Sequence, residues 1–135
     1  MNDIDSAPVP QGDLALQTMA MPRDTNASGD IFGGWLLSQM DLAGGIAAGE
    51  LANGRVATVA ITAMTFHLPV YVGDVLCVYT EIEAIGRTSI TMAIEAWALR
   101  RHDGARVRVT EGRFVFVALG ADGRPRPVLA AEALP

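Results

Sequence analysis

From Gly34 to Ala52 the chain runs through a long stretch dominated by apolar and small residues, ended by the stop signal Asn53-Gly54. As a helix of about 19 residues it is roughly 28 Å long, at 1.5 Å rise per residue. It is too apolar to lie exposed, so the rest of the chain must cover it. One residue on it resists that treatment. Asp41 shares a helix face with Leu37 before it and with Gly44, Gly45 and Ala48 after it, because residues three, four and seven apart lie on one side. A carboxylate there is costly to bury unless something pairs with it or uses it. Gly33 and Gly34 stand where the helix begins, and leave unpaired N–H groups with little side-chain cover. A polarising helix end and an acid on the same element suit attack on a carbonyl.

The cover is made of strands. Leu14 to Met21 reads as a first strand ended by Pro22, and the loop Arg23 to Phe32 leads into the helix. After it, Arg55 to Leu68 is rich in Val, Ile and Thr and ends at Pro69. Asp74 to Ile85 alternates up to the Gly86 turn, Thr88 to Arg101 alternates up to His102-Asp103-Gly104, and Arg106 to Leu119 closes the series. The three hairpin-type connections predict an antiparallel meander. The expected fold class is α+β, an antiparallel sheet of about five strands wrapped around one long central helix. Residues 1–12, with Pro8, Pro10 and Gly12, read as an N-terminal tail, residues 13–120 as the domain, and the Pro-rich 121–135 as a C-terminal tail.

Such a sheet has open edges, and an edge strand usually finds a partner. Half the residues are hydrophobic and mean hydropathy is positive, so part of the surface is expected to be buried against another copy, in a homodimer or a larger homo-oligomer. No apolar run approaches the roughly 18 residues of a membrane span. The acidic N-terminus lacks the basic and apolar regions of a secretory signal. The single Cys77 falls in an apolar strand pattern and reads as a buried structural thiol. These features point to the cytoplasm. A net charge of −5 argues against a nucleic-acid partner. All ten basic residues are arginine, so lysine chemistry is excluded and an anionic ligand must be held by guanidinium forks, backbone amides or hydroxyls. His67 and His102 stand near no Cys or carboxylate at metal-ligand spacing, so no metal site is expected. Ser38 lacks the flanking glycines of a nucleophile elbow.

The run Met21-Pro-Arg-Asp-Thr-Asn-Ala-Ser-Gly-Asp-Ile-Phe-Gly-Gly-Trp35, followed by Ser38-Gln-Met-Asp41, resembles the signature of hotdog-fold acyl-CoA thioesterases, in particular the bacterial YciA-type, broad-specificity group. Thr65-Phe66, Pro69-Val70, Val72-Gly-Asp74 and Ile85-Gly-Arg-Thr-Ser89 are similar to later segments of that family, and the likeness runs from about Leu14 to Arg126. The resemblance implies hydrolysis of acyl-CoA to a carboxylic acid and coenzyme A, within fatty acid metabolism. It implies no separate cofactor, since coenzyme A belongs to substrate and product. It makes Asp41 the nucleophile or general base, lets Asn26 orient water or substrate, and has the Gly33 amide polarise the thioester carbonyl. Asp30 and Gly34 are secondary candidates, Asp30 as an acid that otherwise braces the helix start.

Gly33 and Asp41 are eight residues apart, roughly 12 Å along a helix axis, and cannot both touch one carbonyl. The Asp41 of a given site is therefore expected from the other subunit, in a dimer, a tetramer or a trimer of dimers. By spacing alone Gly86-Arg87-Thr88-Ser89 reads as an ordinary polar hairpin turn, and the resemblance makes Arg87, Thr88 and Ser89 the expected coenzyme A phosphate contacts. Arg100, Arg101, Arg106 and Arg108 flank the next turn and read mostly as a solvated hairpin, and Trp35 is a candidate wall of the acyl pocket. Two other functions were open to such a chain. A related hotdog dehydratase needs a His beside the acid, and Phe32 stands at that position. A non-catalytic acyl-CoA sensor needs an output module, for which 135 residues leave no room.

Overall fold

Helix α1 spans Gly33–Ala52 and lays Leu36, Met40, Ala43, Gly44, Ala48 and Ala52 on the core. That stripe repeats every three to four residues, as an amphipathic helix requires. The helix ends at a left-handed residue, Asn53 at φ 51°, and the Gly54 N–H returns to the Gly49 carbonyl at 3.1 Å, closing the last turn. The chain is represented by a computed structural model describing residues 9–129. The rest of the expected tails, residues 1–8 and 130–135, lies outside the described residues. Among the described residues no helix is long and apolar enough to cross a membrane.

Five strands surround α1: β1 (Asp13–Met19), β2 (Val56–Phe66), β3 (Val75–Ile85), β4 (Ser89–Leu99) and β5 (Arg106–Ala118). They form one antiparallel sheet in the order β1-β3-β4-β5-β2, and α1 packs against all five. The expectation of a meander through the last four strands needs correcting. Only β3, β4 and β5 are joined as successive hairpins; β2 lies on the far side of β5, with Val56 opposite Ala118 and Phe66 opposite Thr110. The segment after Phe66 is what carries the chain across. His67 and Leu68 donate their N–H groups to the Val109 carbonyl, Val70 is buried, and Asp74 turns the chain into β3. The Asp74 carboxylate accepts the Tyr71 N–H at 2.8 Å and Arg100 Nη1 at 2.6 Å. Arg100 is thus a buried ion-pair partner rather than part of a solvated hairpin.

Close approach of helix to sheet depends on Gly44. A Cβ there would come within 2.6 Å of Phe116 Cζ and 2.8 Å of Ile94 Cδ1, both in the buried layer. The segment beyond β5, assigned by sequence to a tail, is docked as far as it is described. Leu119 bridges Pro125, Val128 is 2% exposed, and Arg126 Nη2 donates to the Ala52 carbonyl at 2.8 Å, a cation at the negative end of α1.

β2 is an edge strand with an apolar surface: Val59, Ile61 and Phe66 are 57%, 38% and 52% exposed. Two register shifts interrupt it, after Thr58 and after Thr62, and Ala63 takes a positive φ of 51°. An exposed apolar edge of this kind is a template for pairing with another chain.

Candidate active site

The loop before α1 is a built structure rather than a flexible connection. Thr25 bridges Ile31, and Ile31 is buried. Inside that bridge the Asn26 carboxamide oxygen accepts the N–H groups of Ser28 at 2.9 Å and Asp30 at 3.1 Å. The Asn26 N–H donates to the Asp30 carbonyl at 2.7 Å, and Gly29 turns the chain at φ 83°. Asn is the residue suited to this turn because its side chain imitates a backbone carbonyl. With its oxygen committed to the loop, Asn26 has only its NH₂ left to offer a ligand. Asp30 takes part through its backbone, and among the described residues its carboxylate has no hydrogen-bond partner. Asp24 closes the entrance by accepting the Met21 N–H at 3.0 Å.

Gly33 and Gly34 open the helix and are exposed. The residue before them, Phe32, gives no side-chain cap; its carbonyl accepts the Trp35 N–H at 3.1 Å, and the Gly33 and Gly34 N–H groups meet no side-chain cap. A cavity of about 280 Å³ adjoins Gly33, lined also by Ile31, Leu36, Phe66, Leu68 and Val70. The Phe66 ring stands 3.4 Å from where a Gly33 Cβ would be. The arrangement is a mixed wall, apolar but for His67 and exposed backbone, beside a polarising helix end. A larger cavity, about 610 Å³ between α1 and the β1 side of the sheet, holds none of the candidate residues and is rimmed by Asp13, Glu50 and Glu81. That rim repels an anionic ligand.

Asp41 lies two turns further along α1 and is half-buried. Its Oδ1 accepts a 2.5 Å hydrogen bond from Thr58 Oγ1 on β2. Thr58 was absent from the sequence reading, because a threonine on a strand is the default and its partner is 17 residues away. Within one chain, then, the candidates fall into two groups. Asn26, Asp30, Gly33 and Gly34 gather at the helix start beside Phe66, whereas Asp41 stands with Thr58 toward the other end of β2. Trp35 packs partly against the core and is not among the residues lining the cavity at Gly33.

Arg87, Thr88 and Ser89 make the β3–β4 turn. Gly86 donates to the Ser89 carbonyl at 2.8 Å, and a Cβ on Gly86 would stand 2.7 Å from Ser89 Oγ. Arg87 is exposed, and among the described residues it forms no ion pair. His67, which sequence spacing leaves without an acid, has Nε2 2.6 Å from Glu111 Oε2 across the β2–β5 pair. Arg108 joins the same carboxylate at 3.3 Å. Cys77 is a buried free thiol, 3.5 Å from Gln17 Nε2. Arg113 Nε stands 2.7 Å from Glu83 Oε1, on exposed strand positions away from these groups. Hydrogen bonding to Arg113 lowers the Glu83 pKa, and the same bond raises that of Arg113.

The thioesterase superfamily model matches residues 28–105. The acyl-CoA thioester hydrolase YciA of Salmonella typhimurium is 53% identical over 122 residues, covering 88% of this chain and 92% of that one. Among solved structures, a hexameric thioesterase from Yersinia pestis superposes with a TM-score of 0.86 at 51% identity, covering 91% of this chain and 100% of the other. A hexameric hotdog fold thioesterase of Campylobacter jejuni gives 0.83 at 40% identity, covering 90% and 92%. A matched model spanning more than half the chain, close relatives over nearly its full length and a shared architecture leave one assignment: this chain belongs to the thioesterase superfamily and is built on the hotdog fold.

Proposed function

We propose that the chain hydrolyses acyl-CoA thioesters, at sites each shared between two subunits. The observation that carries this reading is the placement of the two half-sites along one exposed edge strand. Asp41 is tied to β2 at Thr58, and Gly33 abuts β2 at Phe66. If β2 pairs antiparallel with its own copy about a two-fold axis near Thr62, midway between those positions, Thr58 of one subunit faces Phe66 of the other. Asp41 then meets the Gly33 and Asn26 of its partner, and the exposed Val59, Ile61 and Phe66 are covered by the same act. An isologous pairing makes two such sites per pair.

The chemistry follows from these groups. Asp41, oriented through Oδ1 by Thr58, either attacks the thioester carbon or takes a proton from an attacking water. Either route consumes one water overall, breaks the C–S bond, and releases a carboxylic acid and coenzyme A. The tetrahedral oxyanion is received by the Gly33 N–H, with Gly34 behind it; one such donor is worth about 3–4 kcal/mol of barrier. The free NH₂ of Asn26 holds the water or the carbonyl. The cavity beside Gly33 takes the acyl chain, Arg87-Thr88-Ser89 the phosphates, and no further cofactor is required. Asp30 braces the loop. The relatives of known structure named above are hexameric, which favours a trimer of such dimers over a tetramer. A free thiol at Cys77 fits a reducing cytoplasm.

The test is thiol release from a panel of acyl-CoAs, acetyl to palmitoyl with benzoyl and phenylacetyl, by wild type, Asp41→Ala and Asp30→Ala. The expected result is turnover by wild type and Asp30→Ala, with Asp41→Ala reduced by at least about a thousandfold. Turnover that survives Asp41→Ala would move the chemistry off this residue. Coenzyme A binding without release of thiol from any substrate would replace the hydrolase with a sensor.

A further inference from the structure

Pairing through β2 leaves the other edge of the sheet uncovered. β1 is the second edge strand, and between it, β3 and the C-terminal half of α1 lies the cavity of about 610 Å³. Its apolar side chains Leu14, Ile46 and Ile82 are exposed, as is Leu42 one turn before Ile46 on the helix. Its rim carries Asp13, Glu50 and Glu81, and none of the three forms an ion pair among the described residues. The groove is apolar within and negative around its mouth.

The opposite end of the same edge carries the opposite charge. Asp13 stands opposite Thr80, whereas Met19 stands opposite Val75 and Val75 opposite Leu99. The length of β1, roughly 20 Å, therefore separates the groove from the end formed by Met19, Leu99 and the β4–β5 turn. Met19 and Leu99 are exposed there, and with Val75 and Arg101 they line a hollow of about 490 Å³. Arg106 stands opposite Leu99, rests on the Tyr79 ring and donates to its hydroxyl. Neither Arg101 nor Arg106 has an ion-pair partner among the described residues. Asp103, the acid of the turn, is held by His102 at 3.3 Å.

Resting on the trimer of dimers favoured above, we propose that each groove takes the Leu99–Arg101 end of a second copy of this chain, head to tail around the three-fold axis. Charge chooses that occupant. Groove against groove would set three carboxylates against three, and like charges across an interface are strongly disfavoured, so the contact is not isologous. The chain's own first eight residues carry Asp3 and Asp5 and no basic side chain, so the rim repels them too. The end that offers exposed apolar side chains together with free guanidinium groups is the far end of the same edge. A contact between two different patches of identical chains is heterologous, and closes into a ring when its rotation divides the circle. Two rings of three, joined to each other through β2, fill every groove and leave no acidic rim open.

The experiment weighs the full chain by light scattering after size exclusion at low ionic strength, where charge contacts are least screened. It compares wild type, Glu50→Arg with Glu81→Arg, Arg101→Glu with Arg106→Glu, and all four substitutions together. Wild type is expected at six copies of the 14.3 kDa chain. Each double variant should fall to two copies, a threefold loss of mass, because like charges now meet across the contact. The quadruple variant, whose charges are exchanged rather than lost, should return to six. That return guards against misfolding, since a chain that no longer folds is not rescued by two further substitutions. The inference is overturned if either double variant stays hexameric, or if the quadruple variant fails to reassemble. Loss of the hexamer in the groove variant alone would give the groove to another occupant, a second groove or the chain's own N-terminal segment. A wild type that is itself a dimer or tetramer would instead overturn the trimer of dimers on which the contact rests.

Discussion

Replacing Thr58 by valine removes one hydroxyl at almost constant volume. In the structure that hydroxyl is 2.5 Å from Asp41 Oδ1, a short contact of the kind ionised acceptors make. A hydrogen bond to a charged group contributes about 1.5–3 kcal/mol net. Thr58 is exposed and Asp41 only half-buried within one subunit, so the lower part of that range applies, about 1.5–2 kcal/mol. On the proposed mechanism what is lost is the fixed orientation of the other oxygen, Oδ2, which would matter in the transition state more than in substrate binding. At about 1.4 kcal/mol per tenfold, kcat should fall roughly 10- to 30-fold with KM changed less than about twofold. Thr58→Ser keeps the hydroxyl and should recover most of kcat. Steady-state thiol release reads both parameters, and thermal melts of the three proteins guard against a stability artefact. Wild-type kcat in Thr58→Val, or a serine variant as slow as the valine one, would refute the positioning role.

Two predictions concern the framework. Gly44→Ala sets a methyl against the buried Phe116 and Ile94, at a cost of about 1–3 kcal/mol of overpacking, offset by about 1 kcal/mol of helix propensity. The net loss of about 1 kcal/mol should appear in urea denaturation, whereas Gly49→Ala, which meets only the Gly54 carbonyl at 3.4 Å, should gain stability. Arg100→Met strands the Asp74 carboxylate, 1% exposed, and should cost about 3 kcal/mol. The remaining N–H donors from Tyr71 and Arg101 to that carboxylate keep the loss at the low end of the range, and the same denaturation series measures it.

Local signals carried the elements, and distance in sequence hid the rest. The helix was legible because its apolar spacing and its Asn53-Gly54 stop are both short-range, and the strands because parity and turn residues are. The position of β2 was not. Its pairing with β5 rather than β3 depends on where the segment 67–74 leads the chain, and that is decided by contacts such as the Asp74–Arg100 pair, 26 residues apart. Arg100 looked solvated for the same reason. The Pro-rich stretch after Gly120 looked loose because its anchor, the Ala52 carbonyl, is 74 residues from Arg126. At the site, the run from Asn26 to Asp41 stood out for its passage from polar loop to apolar helix with one acid on it. The commitment of the Asn26 oxygen to its own loop and the Thr58 bond to Asp41 were not, since both depend on side-chain geometry that a sequence does not carry.

The shared site is the central claim, and mixing two dead variants tests it most directly. Asp41→Ala and Asn26→Ala subunits, each expected to be inactive alone, are refolded together in equal amounts and assayed for thiol release. If each site takes Asp41 from one subunit and Asn26 from the other, a mixed pair holds one doubly damaged site and one intact site. Half the pairs formed at random are mixed, so about one quarter of wild-type activity should return. If the mixture forms mixed pairs and stays as inactive as its parents, each site belongs to a single chain, and the account is wrong.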